Sequence, residues 1–211
     1  MPLSAELVFE LQQGERVGQA RLVWRSDGQR YGLSLQATLP SGRELQQHSQ
    51  GGFDAAGVAP LRLADQRHGR DVRAANFQRE HGKVTFSGPR WELPLEVGMQ
   101  DRVSWLVQLV ALVAGAGELR EGSELVMTVV GARGSVSLWR FEVRGVQRVA
   151  IDGGAVDALW LVREPSHPYD LRLEVWLDPQ RGHWPLQLRQ TQIPGGEPLR
   201  WVLRQHGSPG T

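Results

Sequence analysis

Between positions 171 and 177, Leu171, Leu173, Val175 and Leu177 alternate with Arg172, Glu174 and Trp176. A period of two puts the four aliphatic side chains on one side of an extended chain and the other three on the opposite side, which predicts a strand with one buried face. The same beat opens the chain, with Leu3, Ala5, Leu7, Phe9 and Leu11 in phase. It recurs at 17–25, 31–39, 43–50, 61–66, 72–79 and 83–86, and again at 124–130, 135–144, 146–151, 155–163, 184–191 and 199–204. Ser26-Asp27-Gly28, Pro40-Ser41-Gly42, Glu80-His81-Gly82, Asp152-Gly153-Gly154 and Asp178-Pro179-Gln180-Arg181-Gly182 supply turns between these runs. Strands joined so closely pair with their neighbours in sequence, so a predominantly antiparallel meander is expected. Gly51-Gly52 reads as a break, and 53–59 as a loop or tight connection.

The beat changes once. From Asp101 to Ala114, Val103, Trp105, Leu106, Val107, Leu109, Val110, Leu112 and Val113 cover almost the whole circumference of a helix. A helix apolar on most sides is buried or embedded in a membrane, and this run is shorter than the about 20 residues that a bilayer core requires. It therefore predicts a core helix near 101–116, lying across the concave face of the sheet. Asp101 suits its N-terminus, where a carboxylate can accept from first-turn amides, and Gly115 and Gly117 suit its end.

The predicted fold is thus all-β and mainly antiparallel: a curved, partly closed sheet or half-barrel with one buried helix. At 211 residues one such domain is the simplest reading, spanning 5–204, with 205–211 as a disordered tail. The formal charge of +1 argues against electrostatic nucleic-acid binding. Lys83 is the single lysine, and every other basic residue is arginine. These arginines intermix with Glu and Asp along the strands, as cross-strand ion pairs on a wet face would require. The absence of cysteine removes disulfides and thiolate chemistry. Met1-Pro2-Leu3-Ser4-Ala5 has neither the basic nor the apolar region of a signal peptide, so the chain is read either as cytoplasmic or as preceded by a targeting segment upstream of Met1. No transmembrane segment is expected within it.

Candidate chemistry is sparse. His48, His68, His81, His167, His183 and His206 show no metal-ligand spacing and sit mostly beside Gly or Pro. No Gly-x-Ser-x-Gly elbow and no phosphate-binding loop occurs. Neither catalytic residues, nor a metal, nor a cofactor is predicted. The eight tryptophans suit a wide curved sheet filled by large side chains. Trp105, Trp139, Trp160 and Trp176 are the candidates for an aromatic lining around an apolar ligand. Trp176 falls opposite the leucine stripe, so it is either exposed or covered by a second layer.

Three segments resemble the bacterial family of uncharacterised proteins DUF3108. They are Gly57-Val58-Ala59-Pro60-Leu61-Arg62-Leu63, continuing through Arg67, Arg70 and Ala75-Asn76-Phe77; Met99-Gln100-Asp101-Arg102-Val103-Ser104, continuing to Gln108-Leu109; and Glu174-Val175-Trp176-Leu177-Asp178-Pro179, followed by Trp184-Pro185-Leu186-Gln187-Leu188-Arg189. The resemblance covers most of the chain. It implies a periplasmic or envelope-associated protein, because members carry an N-terminal export or anchoring segment. By analogy it implies a curved sheet around a helix, similar to the half-barrels of periplasmic lipoprotein carriers. It transfers no activity and no site residue. The function expected is a non-enzymatic envelope protein holding an apolar or lipid-like ligand. The alternative is a protein-interaction or structural module using a sheet edge or the Arg-rich outer face, and a hydrolase ranks third.

Overall fold

The alternating runs become strands in a computed structural model that describes residues 1–152 and 154–210. The first half of the chain forms β1 (Ala5–Gln13), β2 (Arg16–Ser26), β3 (Arg30–Thr38), β4 (Glu44–Asp54), β5 (Gly57–Arg67), β6 (Arg70–Gln78), β7 (Lys83–Phe86) and the two-residue β8 (Leu93–Pro94). A second two-residue strand, β9 (Gln100–Asp101), leads into helix α1 (Ser104–Gly115). The second half forms β10 (Glu124–Val130), β11 (Val136–Ile151), β12 (Gly154–Arg163), β13 (Leu171–Leu177), β14 (Pro185–Gln192) and β15 (Leu199–Gly207). All fifteen belong to one sheet, ordered β8-β7-β6-β5-β4-β3-β2-β1-β15-β14-β13-β12-β11-β10-β9. Two meanders are therefore joined through one antiparallel ladder, β1 to β15. The short β9 is the exception in direction, running parallel to β10.

Phase along each strand decides what is buried. In β1, Ala5, Leu7, Phe9 and Leu11 are buried, while Glu6, Val8 and Glu10 between them are only partly covered. Each fully buried Leu or Phe contributes about 1.5–3 kcal/mol relative to exposure. The inward stripes of β1–β5 and β10–β15 share one core with α1. The helix lies inside the curled sheet, with Trp105, Leu106, Val107, Leu109, Val110 and Val113 all buried. That encirclement is why its apolar residues run nearly all the way round.

Side chains hold the helix between the two arms of the sheet. Gln108 accepts from the Val58 amide through Oε1 at 2.8 Å and donates to the Ala56 carbonyl through Nε2 at 2.6 Å. Gln100 Nε2 donates to the Val58 carbonyl at 2.7 Å. These amides take the place of a ladder between β5 and β9, so the sheet curls upon itself without closing into a barrel. Gly57 lies where the Gln108 amide arrives. A Cβ there would stand 2.5 Å from Gln108 Oε1, and the residue has φ +113°, a conformation that favours glycine. Gly57→Ala is expected to cost about 1–3 kcal/mol in urea unfolding. Gly28→Ala, also at positive φ but facing open space, should cost less; equal losses would show that the Gln108 contact contributes nothing.

Several local expectations change. Gly51 and Gly52 do not break the chain but lie within β4. A Cβ on Gly51 would come within 2.3 Å of the Ala59 carbonyl and 2.9 Å of the Tyr31 ring, at a register shift between β4 and β5. Glycine is there for close backbone approach and a bulge. The runs 135–144 and 146–151 form one strand, β11, kinked where Gly145 adopts φ +98°. Gly153, central to an expected turn, lies outside the described residues, as does Thr211. The tail expected from 205 is ordered through Gly207, because Gln205, His206 and Gly207 pair with Val8, Leu7 and Glu6 of β1. The helix begins at Ser104, with Asp101 still in β9. No helix among the described residues is long and apolar enough to cross a membrane.

Candidate functional site

The core does not fill the interior completely. A cavity of about 400 Å³ remains between α1 and the concave face of the sheet. Its apolar wall comes from inward positions of successive strands: Phe9 of β1, Leu22 of β2, Leu35 of β3, Leu45 of β4, Leu173 of β13, Leu188 of β14, and Leu199 and Trp201 of β15. The helix contributes Trp105 and Leu106, and β11 contributes Trp139. This volume falls within the about 300–1,000 Å³ typical of small-molecule sites. Other depressions, such as the one bordered by Gln19, Arg21, Gln36, Thr38 and Glu44, open on the polar outer face.

Aromatic packing fixes the wall. Trp105 stacks on Phe141 at 5.5 Å with an interplanar angle of 8° and meets Trp139 at 5.2 Å. Phe9 and Trp201 meet edge to face at 5.9 Å. Trp160 and Trp176 do not join this lining. They stack on each other at 6.2 Å on the opposite face of the sheet, where Trp176 packs with Ala158 and Leu186. The physical reason is parity, since residues 160 and 176 are out of phase with Leu161 and Val175, which face the core. The far end of the β11–β12 hairpin bends over that outer face, bringing Val149, Ile151 and Val156 against the cluster and Asp152 to 3.3 Å from Arg204. Trp176 is thus covered by a second layer, and its indole N–H donates to Gln147 Oε1 at 2.8 Å.

The charged groups of the cavity are mostly cationic. Arg163 continues the inward phase of Leu161 and is 2% exposed. It donates to the Leu171 carbonyl at 2.6 Å and to Asp170 Oδ2 at 2.5 Å. Its guanidinium lies 4.7 Å from the Trp139 ring centre, and that of Arg102 lies 5.2 Å from the same ring. Asp170 also accepts from the amides of Ser166 and Leu171. Burial alone would raise its carboxyl, but Arg163 and the two amides outweigh burial and hold it far below the usual carboxylate range. Arg102 is half-buried and its only polar side-chain contact among the described residues is a long 3.5 Å one to Ser135 Oγ. Burial, followed by repulsion from Arg163, lowers its pKa.

A second polar cluster lies at the start of α1. Asp101 is fully buried; its Oδ1 accepts from the amides of Val103 and Ser104 at 2.8 and 2.7 Å, and its Oδ2 from Ser49 Oγ at 2.5 Å. Ser104 Oγ accepts from the Asp101 amide at 2.9 Å. Ser49 gives its one proton to Asp101, so Tyr31, 2.9 Å away, donates to Ser49. Burial raises the Asp101 carboxyl, and burial together with the Asp101 charge raises the Tyr31 phenol well above its ordinary value. With its carboxylate saturated and sealed from the cavity, Asp101 organises the turn from β9 into α1. It reaches the Ser104 amide as expected, but the cap position itself falls at Val103 and not at Asp101.

The histidines stay apart from the cavity: none lines it, four are exposed, and His48 and His183 are half-buried. No group of three or more metal-ligating side chains occurs among the described residues. The arginine pair was not singled out by sequence reasoning, although a charged residue in phase with an apolar stripe, Arg163 after Leu159 and Leu161, is a readable signal.

The architecture has a counterpart among solved structures. The chain is similar to a β-barrel-like protein of the domain family of unknown function DUF1849 from Brucella abortus, with 14% identity, 99% of this chain and 98% of that chain covered, and a TM-score of 0.60. At that identity the likeness concerns the fold alone. No curated protein matches the chain. The profile described as "Protein of unknown function (DUF3108)" matches residues 7–198, a span running from β1 to the last turn before β15, and the chain belongs to that family.

Proposed function

We propose that this protein is a non-enzymatic component of the bacterial cell envelope that holds an apolar, lipid-like ligand inside its curled sheet. The cavity beneath α1 is the observation that carries this reading: the helix fills the interior only in part, and the remaining wall is aliphatic and aromatic. The envelope location rests on the export segments characteristic of the family. Solvent extraction of the purified protein, followed by mass spectrometry, is expected to release an apolar molecule in near-stoichiometric amount. Leu199→Trp, which adds bulk at a half-buried lining position, should reduce the recovered amount severalfold while the far-UV circular dichroism spectrum is retained. Extracts without any such molecule, combined with failure of the emptied protein to bind dodecanol, would refute the reading. Fractionation of cells expressing the complete reading frame tests the location, and recovery from the cytosol alone would count against it.

A second reading, an envelope interaction module, draws on the outer face of β10 and β11. Val126, Val136 and Leu138 are 43%, 40% and 55% exposed there on neighbouring strands. The outermost strands are two residues long, one containing Pro94. However, β9 covers only Val129 and Val130, so residues 124–128 of β10 have no strand beyond them among the described residues and offer an edge beside this patch. Cross-linking in envelope extracts with and without Leu138→Glu distinguishes this reading by whether a specific adduct is lost.

A further inference from the structure

We infer that the cavity is built for a single-chain amphiphile with an anionic head, whose charged group is held at Arg102 beside Trp139 while its chain lies against Leu22, Leu35 and Leu188. This inference rests on the apolar-ligand reading and names the ligand's chemical class. Among the charged residues lining the cavity, Arg43, Arg102 and Arg163 face one carboxylate, Asp170, which leaves an excess of two positive charges. Asp170 is already engaged by Arg163 and by two amides. On the outer face some arginines have carboxylate partners, as Arg21 has Glu6, Arg140 has Glu124 and Arg189 has Glu174. Those without one, such as the exposed Arg200, are solvated by water instead. Arg102, although half-buried, has no carboxylate within ion-pair distance among the described residues.

A half-buried cation without a counterion is costly, and a buried donor without an acceptor is costly as well. Two further lining groups share that condition, because Arg163 Nε and the Trp201 indole N–H are buried and unpartnered. Trp201 is 9% exposed and Arg163 2%. Every unmet polar group identified on the cavity wall is thus a donor or a cation. A ligand that supplies only hydrocarbon would leave all three unsatisfied, and a cationic head would meet repulsion from Arg102 and Arg163. An anionic head supplies both the missing charge and the missing acceptors, in a setting dry enough to strengthen them. The volume suits one chain in preference to two.

Binding of dodecanoate, dodecyl phosphate, dodecanol and dodecyltrimethylammonium to delipidated protein, each below its micellar concentration, tests the inference through tryptophan fluorescence. Trp105, Trp139 and Trp201 in the wall provide the signal. Either anion is expected to bind about tenfold or more tightly than dodecanol, the scale of one charge-assisted hydrogen bond, and the cation more weakly than dodecanol. Whichever anion is tighter separates a fatty-acid source from a phosphate-headed lipid. Arg102→Gln should abolish the preference for anions and leave dodecanol binding in place, whereas Arg102→Lys should retain most of it. Equal affinities for all four probes, or an unchanged preference in Arg102→Gln, would overturn the anionic head and spare the apolar site. Absence of binding by every probe would remove both.

Discussion

Asp170→Asn is expected to lower the unfolding free energy by about 3–5 kcal/mol, the cost of leaving a buried cation without its counterion. Arg163 has a side chain only 3% exposed and Asp170 one 15% exposed, at 2.5 Å separation, so the loss cannot be made good by water as it is at the surface. The exposed pair of Arg148 and Asp157, with 72% and 65% exposure, is the natural comparison and should be worth at most about 1 kcal/mol. Chemical denaturation of both single variants decides the matter. A loss for Asp170→Asn no larger than that for Asp157→Asn would mean that the inner pair is effectively solvated. Acid provides an independent check. The folded carboxyl of Asp170 lies below its unfolded value of about 3.9. Its stabilisation is therefore complete above that pH and disappears as pH falls toward the folded value. Below about pH 4 the parent protein should consequently lose stability more steeply than Asp170→Asn.

The second large effect is expected at Asp101. Asp101→Ala would strand the amides of Val103 and Ser104 and the Ser49 hydroxyl in a buried position. At about 1–3 kcal/mol for each unsatisfied group, the combined loss should reach the range of about 4 kcal/mol or more that singles out exceptional sites. Asp101→Asn keeps an acceptor for the two amides, and its amide group can donate to Ser49, so its effect should be much smaller. A calorimetric melt of the two variants separates these outcomes. Similar losses for Ala and Asn would show that charge, and not the set of acceptors, matters here. The pH dependence has the opposite sign to that of Asp170. Because burial raises the folded pKa of Asp101, its contribution is greatest below about pH 4 and declines as pH rises from there to the folded value.

These two carboxylates show how far the sequence is legible. The period-two stripes of β1 and β13 and the all-round apolar surface of α1 are local properties, and they lead directly to a wrapped sheet with an internal helix. Asp101 was also readable, since it precedes an apolar helical run. What escaped was tertiary. Gly51 looks like a break until the Ala59 carbonyl is seen to fill the space of its Cβ. Trp160 and Trp176 look like cavity residues until a folded-back hairpin covers the other side of the sheet. Arg102 lies between two elements, and its role depends on Trp139 and Arg163 arriving from β11 and β12. No spacing in the chain brings those three together; the curl of the sheet does.

The ladder between β1 and β15 has a consequence for biosynthesis. It is the central seam of the sheet, yet it joins residues such as Leu7 and His206 from opposite ends of the chain. β1 precedes the other strands in sequence, and the edge it presents to β15 stays unpaired until that last strand of the sheet is available. The first meander must wait with that edge exposed, while contacts of such long sequence separation make the final docking slow. A nascent chain arrested before Leu199 would thus be two half-sheets with open margins, and those margins are where a chaperone or a misassembly partner would find it.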